Sequence, residues 1–204
     1  MNYPKLNEHI LGALQRLDFE SPKELQSKIL SPIKSGSDIL CTGPSGIGKT
    51  TTLIISVMQA LKCEAKGDTP RAMIIVKDKQ AALELEEAFK PFLFRTDLRI
   101  FSAYDQHDIL GQRDTIYVGV DILIGTPSRL TKLFYMNGIN LAQLRMLIIE
   151  DADFLAKASF NTDIKRIVDS GHKFQKILFA EMIHPRVEQL IDAIMPRAKR
   201  FSQA

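Results

Sequence analysis

Short apolar runs recur along the chain, and longer segments with helical spacing of apolar and polar residues separate several of them. Each run is rich in Ile, Leu and Val; the six runs cover residues 39–41, 72–76, 98–101, 121–124, 146–149 and 177–180. Near-continuous apolar strands are typical of a parallel sheet that is covered on both faces. The pattern therefore predicts six buried strands.

Four segments carry an apolar face and a polar face at helical spacing: 51–61, 79–94, 160–168 and 184–194. Such segments are typical of helices that cover a sheet. Strands and helices together predict an α/β fold, with a mainly parallel β-sheet flanked by helices on both faces. A length of 204 residues favours one domain over two small ones.

Composition and charge narrow the class of protein. The chain is 45% hydrophobic and 25% charged, as expected of a globular protein in solution. No apolar run approaches the ~20 residues of a membrane span, and the N-terminus has no apolar signal core, so we expect a cytoplasmic protein without a membrane partner.

Cys41 and Cys63 are interpreted as buried thiols, and the four histidines lack metal-ligand spacing. The net charge of +3 permits a polyanionic partner without requiring one, and we interpret the basic cluster at 197–200 as a solvated face.

A glycine-rich segment with the pattern G-x-x-x-x-G-K-[ST] lies between the first apolar run and the first helical segment. It consists of Gly43, Pro44, Ser45, Gly46, Ile47, Gly48, Lys49 and Thr50. Between a strand and a helix, the backbone N–H groups of such a loop surround phosphates, Lys49 reaches the β and γ oxygens, and the Thr50 hydroxyl can ligate Mg²⁺. We predict a nucleoside triphosphate site that includes these residues and Thr51. The plainer alternative is a glycine-rich helix entry with a solvated lysine.

Three further segments carry candidate chemistry. The fifth apolar run is followed by Glu150-Asp151-Ala152-Asp153 and the fourth by Gly125-Thr126-Pro127-Ser128-Arg129-Leu130, at strand ends where open α/β sheets bind ligands. Near the N-terminus, Phe19 to Gln26 has the pattern Phe-x-x-Pro-x-x-x-Gln. In this order and at these separations, the segments resemble the N-terminal RecA-like lobe of the DEAD-box RNA helicases, over roughly residues 6–201.

The resemblance implies a RecA-like P-loop NTPase fold, in which residues 1–204 form a single N-terminal, ATP-binding helicase domain. It implies ATP and Mg²⁺ as cofactors. Thr50 and Glu150 would be the magnesium ligands, and the catalytic residues would be Lys49, Glu150 and Asp151.

The resemblance also implies how adenine is selected. The amide of Gln26 would read the adenine edge, and Phe19 would pack near the base. The alternative is a buried helix glutamine beside a core phenylalanine.

The resemblance also implies that four residues contact the phosphate backbone of single-stranded RNA: Lys79, Thr126, Pro127 and Arg129. A simpler role for the 126–127 pair is to begin a helix, with Thr126 as its cap and Pro127 as its first residue. Both roles are compatible, because a free helix N-terminus itself attracts anions.

Several positions depart from the family pattern. The order Glu150-Asp151 exchanges the lengths of the two catalytic carboxylates, so we expect slow or absent hydrolysis. Ala180-Glu181-Met182 replaces Ser-Ala-Thr, whose hydroxyls link the carboxylate segment to domain closure in the family. The double-glycine RNA segment is missing near Ser102-Ala103-Tyr104, and lysine replaces arginine at Lys79, so we expect weak RNA binding.

Two main hypotheses follow. The chain is the ATP-binding lobe of an RNA helicase, with little unwinding alone because the second RecA-like lobe is absent and must be supplied in cis or in trans. Alternatively, it is a non-catalytic, nucleotide-dependent module that binds RNA or protein. A transporter ATPase would also carry this phosphate loop, but no Leu-Ser-Gly-Gly-Gln-like segment precedes the acidic residues.

Overall fold

The sheet is the centre of this computed structural model, which describes residue 3 and residues 5–156, 159–170 and 173–203. Seven strands run in the order β3-β4-β2-β5-β6-β1-β7, and every recorded pairing is parallel. The strands are β1 (Ile39–Thr42), β2 (Ala72–Ile75), β3 (Ile100–Ala103), β4 (Ile122–Gly125), β5 (Met146–Ile149), β6 (Gln175–Ala180) and β7 (Lys199–Ser202).

Helices cover both faces of this sheet. Within the described residues they are α1 (Glu8–Arg16), α2 (Glu24–Lys34), α3 (Lys49–Leu61), α4 (Lys79–Leu93), α5 (Ile109–Val118), α6 (Pro127–Tyr135), α7 (Ser159–Val168) and α8 (Pro185–Ile194), with a 3₁₀ helix at Ala152–Ala156. Helices α1 to α4 share one core with alternate strand residues, and helices α5 to α8 share the other. In β1, for example, Ile39 and Cys41 face the first core and Leu40 faces the second. The predicted α/β class with helices on both faces is confirmed.

Several predicted boundaries were shifted. The third strand is Ile100–Ala103 instead of 98–101, because Asp121 and Ile122 both donate their N–H groups to the carbonyl of Arg99, just before the ladder begins. Helix α3 starts at Lys49, two residues earlier than predicted, because Gly48 adopts a left-handed conformation as its N-cap. Helix α4 ends one residue earlier than predicted, α7 begins one earlier, and α8 begins one later.

The basic cluster at 197–200 is part of an edge strand. Lys199 and Arg200 begin β7, which pairs in parallel with β1. Both side chains are exposed, as predicted, but the backbone is in the sheet. The cluster escaped prediction as a strand because a charged edge strand lacks the apolar run of a buried one.

The parallel order determines where chemistry can occur. The C-terminal ends of all seven strands meet at one edge of the sheet, and the phosphate loop, the acidic segment and the Thr126 segment all follow strands at that edge. The C-terminal ends of α2 and α3 lie toward the opposite edge of the sheet. At that edge, Asp38 directly precedes β1 and Gln175 begins β6. The described residues include no helix with the length and apolar character needed to cross a membrane.

Candidate nucleotide-binding and RNA-binding site

The phosphate loop joins β1 to α3. Gly48 caps the helix with φ 99°, a left-handed conformation that favours glycine. The N-terminus of α3 therefore opens directly into the loop, where its free N–H groups and dipole favour an anion.

Lys49 is buried within this loop. Its Nζ donates to the carbonyl oxygens of Gly43 at 2.6 Å and Pro44 at 3.0 Å, and no carboxylate of the described residues forms an ion pair with it. A buried ammonium held only by carbonyls is well suited to a more strongly accepting partner such as a phosphate. The residues of the loop therefore fit a polyphosphate.

Thr50 lies beside the acidic segment. Its Oγ1 donates to Oε1 of Glu150 at 2.8 Å, which joins two residues 100 positions apart. Both oxygens are hard ligands of the kind that Mg²⁺ prefers, and Mg²⁺ is commonly held by one or two protein oxygens together with phosphate and water. Among the described residues, no group of three or more His, Cys, Asp or Glu side chains could hold a metal by itself. This pair therefore fits a magnesium ion that arrives with a nucleotide.

The protonation of Glu150 is strongly perturbed. Burial is the main cause that raises the pKa of its carboxyl to about 7, and the negative charges of Asp151 and Glu84 add to the rise. The hydrogen bond from Thr50 and the charge of Lys49 act in the opposite direction. A cation at this position would favour the ionised form.

Asp151 and Asp153 differ sharply in their surroundings. Asp151 is exposed with φ 48°, a left-handed conformation that short polar side chains tolerate better than most. The carboxylate of Asp153 accepts the backbone N–H groups of Glu181 at 2.9 Å and Met182 at 3.2 Å. Backbone groups therefore connect the acidic segment to the loop after β6, although that loop lacks the family's hydroxyls.

The N-terminal segment contacts the phosphate loop. Gln26 is buried, its Oε1 accepts the N–H of Lys23 at 2.9 Å, and its Nε2 would lie 3.2 Å from a Cβ built on Gly48. Lys23, which sequence reasoning did not single out, donates from Nζ to the carbonyl of Gly46. Phe19 is 40% exposed. The N-terminal segment thus lies next to the phosphate loop: Gln26 and Lys23 lie against the loop, and Phe19 is open to solvent.

The Thr126 segment begins α6. Thr126 is the N-cap and Pro127 the first helical residue, as the simpler alternative predicted, but the Thr126 side chain does not cap the helix. Its hydroxyl donates instead to Oδ2 of Asp105 at 3.0 Å. The Arg129 side chain is buried with Nε 3.7 Å from Oδ1 of Asp105, and neither its Nε nor its Nη1 has a hydrogen-bond partner among the described residues.

Several polar side chains at the N-terminal end of α6 lie close to the carboxylate of Asp105. Lys132 Nζ lies 3.7 Å from Asp105 Oδ1, and Ser128 Oγ lies 3.5 Å from the same atom. Lys79, the first residue of α4, is exposed and holds its ammonium 5.1 Å from the centre of the Tyr104 ring. The structure brings Lys79, Thr126 and Arg129 to one loop, residues 104–105. Sequence reasoning missed Asp105 because only the fold places it against α6.

Comparison with known proteins identifies the family. A family model described as DEAD/DEAH box helicase matches residues 23–181. The chain is 23% identical over 188 residues to "ATP-dependent RNA helicase DeaD" of Mycobacterium tuberculosis, covering 91% of this chain and 33% of that protein. It is 28% identical over 163 residues to "RNA helicase CrhR" of Synechocystis, covering 80% of this chain and 32% of that protein. The chain thus spans about a third of the length of these relatives.

Solved structures share the fold. The crystal structure of a DEAD box protein from Methanococcus jannaschii superposes with a TM-score of 0.90 at 20% identity, covering 100% of this chain and 56% of that one. The structure of a hypothetical ATP-dependent RNA helicase from Sulfolobus tokodaii gives a TM-score of 0.85 at 20% identity, covering 97% and 57%. With the family match over most of its length, this chain belongs to the DEAD/DEAH box helicase family.

Proposed function

We propose that this chain is the ATP-binding lobe of an ATP-dependent RNA helicase, which binds ATP with Mg²⁺ and contacts the backbone of single-stranded RNA. The observation that carries the proposal is the buried Lys49 ammonium inside the phosphate loop, beside the Thr50–Glu150 pair. Lys49 and the loop N–H groups would hold the phosphates, and Thr50 and Glu150 would hold the magnesium ion, which offsets negative charge on the phosphates when bound. Gln26 would select adenine.

Hydrolysis by this lobe should be slow. Asp151 is the shorter of the two acids and is exposed, and no hydrogen bond from its side chain to another described residue orients it toward an attacking water. A misplacement on the order of 1 Å can cost about 10²-fold in rate. Unwinding would in addition need a second RecA-like lobe that supplies transition-state arginines.

RNA binding should be weak for a reason that the structure adds to the sequence. Thr126, Arg129 and the N-terminus of α6 are suited to a phosphate, but the carboxylate of Asp105 already lies among them. Lys79, whose ammonium lies over the Tyr104 ring and forms no ion pair with a carboxylate of the described residues, supplies a positive charge next to this position. An RNA phosphate would therefore have to displace or tolerate a like charge.

One series of measurements tests the proposal. Fluorescent ATP and GTP analogues are titrated with and without Mg²⁺, and phosphate release is then measured with and without single-stranded RNA and an added second lobe. We expect Mg²⁺-dependent binding with adenine preference, and RNA-stimulated release once the second lobe is supplied. Lys49→Ala should abolish binding, while Lys90→Glu, an exposed change on α4, should leave it unchanged. Equal binding by the Lys49→Ala variant would place the nucleotide elsewhere.

The second candidate is a non-catalytic, nucleotide-dependent binding module. It is favoured by the exposed, left-handed Asp151 and by the carboxylate of Asp105 at the RNA position. Nucleotide binding without release, even with the second lobe and RNA present, would support this candidate over the catalytic one.

A further inference from the structure

A cavity of about 820 Å³ lies at the edge of the sheet opposite the phosphate loop. It is bordered by the C-terminal ends of α2 and α3 and by the residues that begin β5 and β6. Helix α3 has 13 residues, so it spans about 20 Å between the phosphate loop and this cavity. A ligand here would leave the nucleotide site open.

The cavity has a strongly basic rim. Five cationic side chains line it and none forms an ion pair with a carboxylate of the described residues: Lys5, Lys34, Lys62, Arg145 and Lys173. Among the described residues of the lining, Asp38 is the one acid; it accepts the N–H of Lys176 at 2.7 Å and pairs with Lys176 Nζ at 3.3 Å. The acid is therefore already neutralised by a residue outside the cavity.

Cations at helix ends have an ordinary structural use, since they complement the helix dipole. Lys34 is the last residue of α2 and Lys62 is the C-cap of α3. Each helix end carries about half a negative charge, so two ends offset only about one of the five positive charges. Helix stabilisation therefore accounts for part of the cluster and leaves a clear positive excess.

The interior of the cavity is mainly apolar. Six apolar side chains, each at most 8% exposed, form part of its walls: Leu30, Ile33, Ile55, Leu144, Met146 and Phe174. Polar side chains line the rest: Ser31, Ser56, Gln59 and Gln175. Phosphate backbones or simple anions gain little from such walls, whereas an apolar side chain is stabilised when it leaves water to pack against them. The combination of an apolar interior and a basic rim matches an acidic peptide with a hydrophobic anchor.

We propose that this cavity docks an acidic peptide segment of a partner protein, with one Leu or Phe side chain in the apolar interior and flanking Asp or Glu residues against the basic rim. The occupant follows from charge complementarity and the apolar walls, and it does not depend on the nucleotide or RNA assignments. Binding should weaken with salt, because the rim charges are exposed to solvent.

The test uses fluorescence anisotropy of a short labelled acidic peptide with a central Phe. Lys34→Glu combined with Lys173→Glu should weaken binding about tenfold or more, since it reverses two rim charges. Lys90→Glu, an equivalent reversal outside the cavity, should change it less than about twofold. Ser31→Trp, which places bulk at the cavity wall, should also weaken binding. Thermal melting and ATP-analogue binding of each variant establish that the fold and the nucleotide site are intact.

Several results would overturn the proposal. One is unchanged peptide affinity in the folded charge-reversed and Ser31→Trp variants. Another is equal affinity for a peptide in which Ser replaces the Phe, which would indicate a general polyanion surface. A third is loss of single-stranded RNA binding, with peptide binding intact, in the charge-reversed variant.

Discussion

The hydroxyl of Thr126 donates a hydrogen bond of 3.0 Å to the carboxylate of Asp105, at the N-terminus of α6. The two residues follow adjacent parallel strands, since β3 pairs with β4 and ends at Ala103 as β4 ends at Gly125. Arg129 and Lys132 lie near the same carboxylate. A partly exposed carboxylate of the protein itself therefore occupies the position that we propose for a phosphate of RNA.

Asp105→Ala should strengthen RNA binding. Two unit charges about 4 Å apart repel by about 1 kcal/mol even in water, so we expect a gain of about fivefold in affinity for single-stranded RNA. Filter binding or anisotropy at low salt measures the effect, which should shrink as salt rises. Asp114→Ala removes an equally negative, exposed side chain on α5 and should have no effect. If Asp105→Ala left RNA affinity unchanged, RNA would not contact this helix end.

Exchanging the two acids should raise ATP turnover. Glu150→Asp with Asp151→Glu restores the family order, which would bring the longer carboxylate to the position that we propose faces the attacking water and the shorter one to the proposed metal position. We expect an increase of about tenfold or more in phosphate release when a second lobe and RNA are supplied. The single variants separate the two contributions. A native order that proved faster than the exchanged one would contradict the slow-hydrolysis hypothesis.

Gly43→Ala should impair both stability and nucleotide binding. A Cβ at Gly43 would lie 2.8 Å from the carbonyl oxygen of Gln203, a backbone atom of the segment after β7, and 2.5 Å from Cδ1 of Ile47. Crowding of this kind typically costs about 1–3 kcal/mol. Urea unfolding and ATP-analogue titration measure the two effects.

Gly36→Ala is the matched control for that change. Gly36 has φ 81° but no atom within 4 Å of its Cβ position, so only backbone strain of about 1–2 kcal/mol is expected. Nucleotide affinity should be unchanged. Equal affinity in both variants would show that the Gly43 contact does not shape the phosphate loop.

Asp121→Asn should destabilise the fold. Asp121 is fully buried and pairs with Arg71 at 2.7 Å and Arg99 at 2.9 Å. Removing one partner of a buried ion pair costs about 3–5 kcal/mol. Asp114→Asn, which alters an exposed pair, should cost less than about 1 kcal/mol. Urea denaturation at neutral pH compares the two variants.

The ion pairs of Asp121 with Arg71 and Arg99 also make the stability of the fold depend on pH. Burial alone would raise the pKa of Asp121, but hydrogen bonds from Arg99, from the Lys66 backbone and from Arg71 outweigh it and hold the pKa below its usual value. The stabilisation is therefore complete above the unfolded pKa of about 3.9 and is lost as pH falls through the lower folded pKa. The stability gap between the wild type and Asp121→Asn should narrow below about pH 4. A constant gap would contradict a titrating Asp121.

Both thiols should be inert in the folded protein. Burial raises the pKa values of Cys41 and Cys63 to about 11, so the reactive thiolate form of each is scarce at pH 8. Alkylation should proceed no faster than unfolding, and both thiols should react once guanidinium unfolds the chain. Rapid modification of native protein would contradict the burial of the thiol that reacts.

The sequence determined the features that neighbouring residues create together. The apolar runs of β2, β4 and β5 predict strands buried on both faces, because consecutive apolar side chains point to opposite faces of a sheet and are stabilised by burial on each. The phosphate loop is equally local, since consecutive residues contribute its backbone N–H groups, its lysine and its hydroxyl. The fold class and the family could therefore be identified before the structure.

The tertiary structure decided what faces what. Asp105 meets Thr126 only because β3 and β4 are parallel neighbours, and the cationic residues of the basic cavity converge only where α2, α3, β5 and β6 reach one edge. Strand β7 was missed because an exposed, charged edge strand carries no apolar signal. A motif of consecutive residues can be identified from the sequence alone. Contacts between distant segments depend on strand order and register, which cannot be inferred from any one segment.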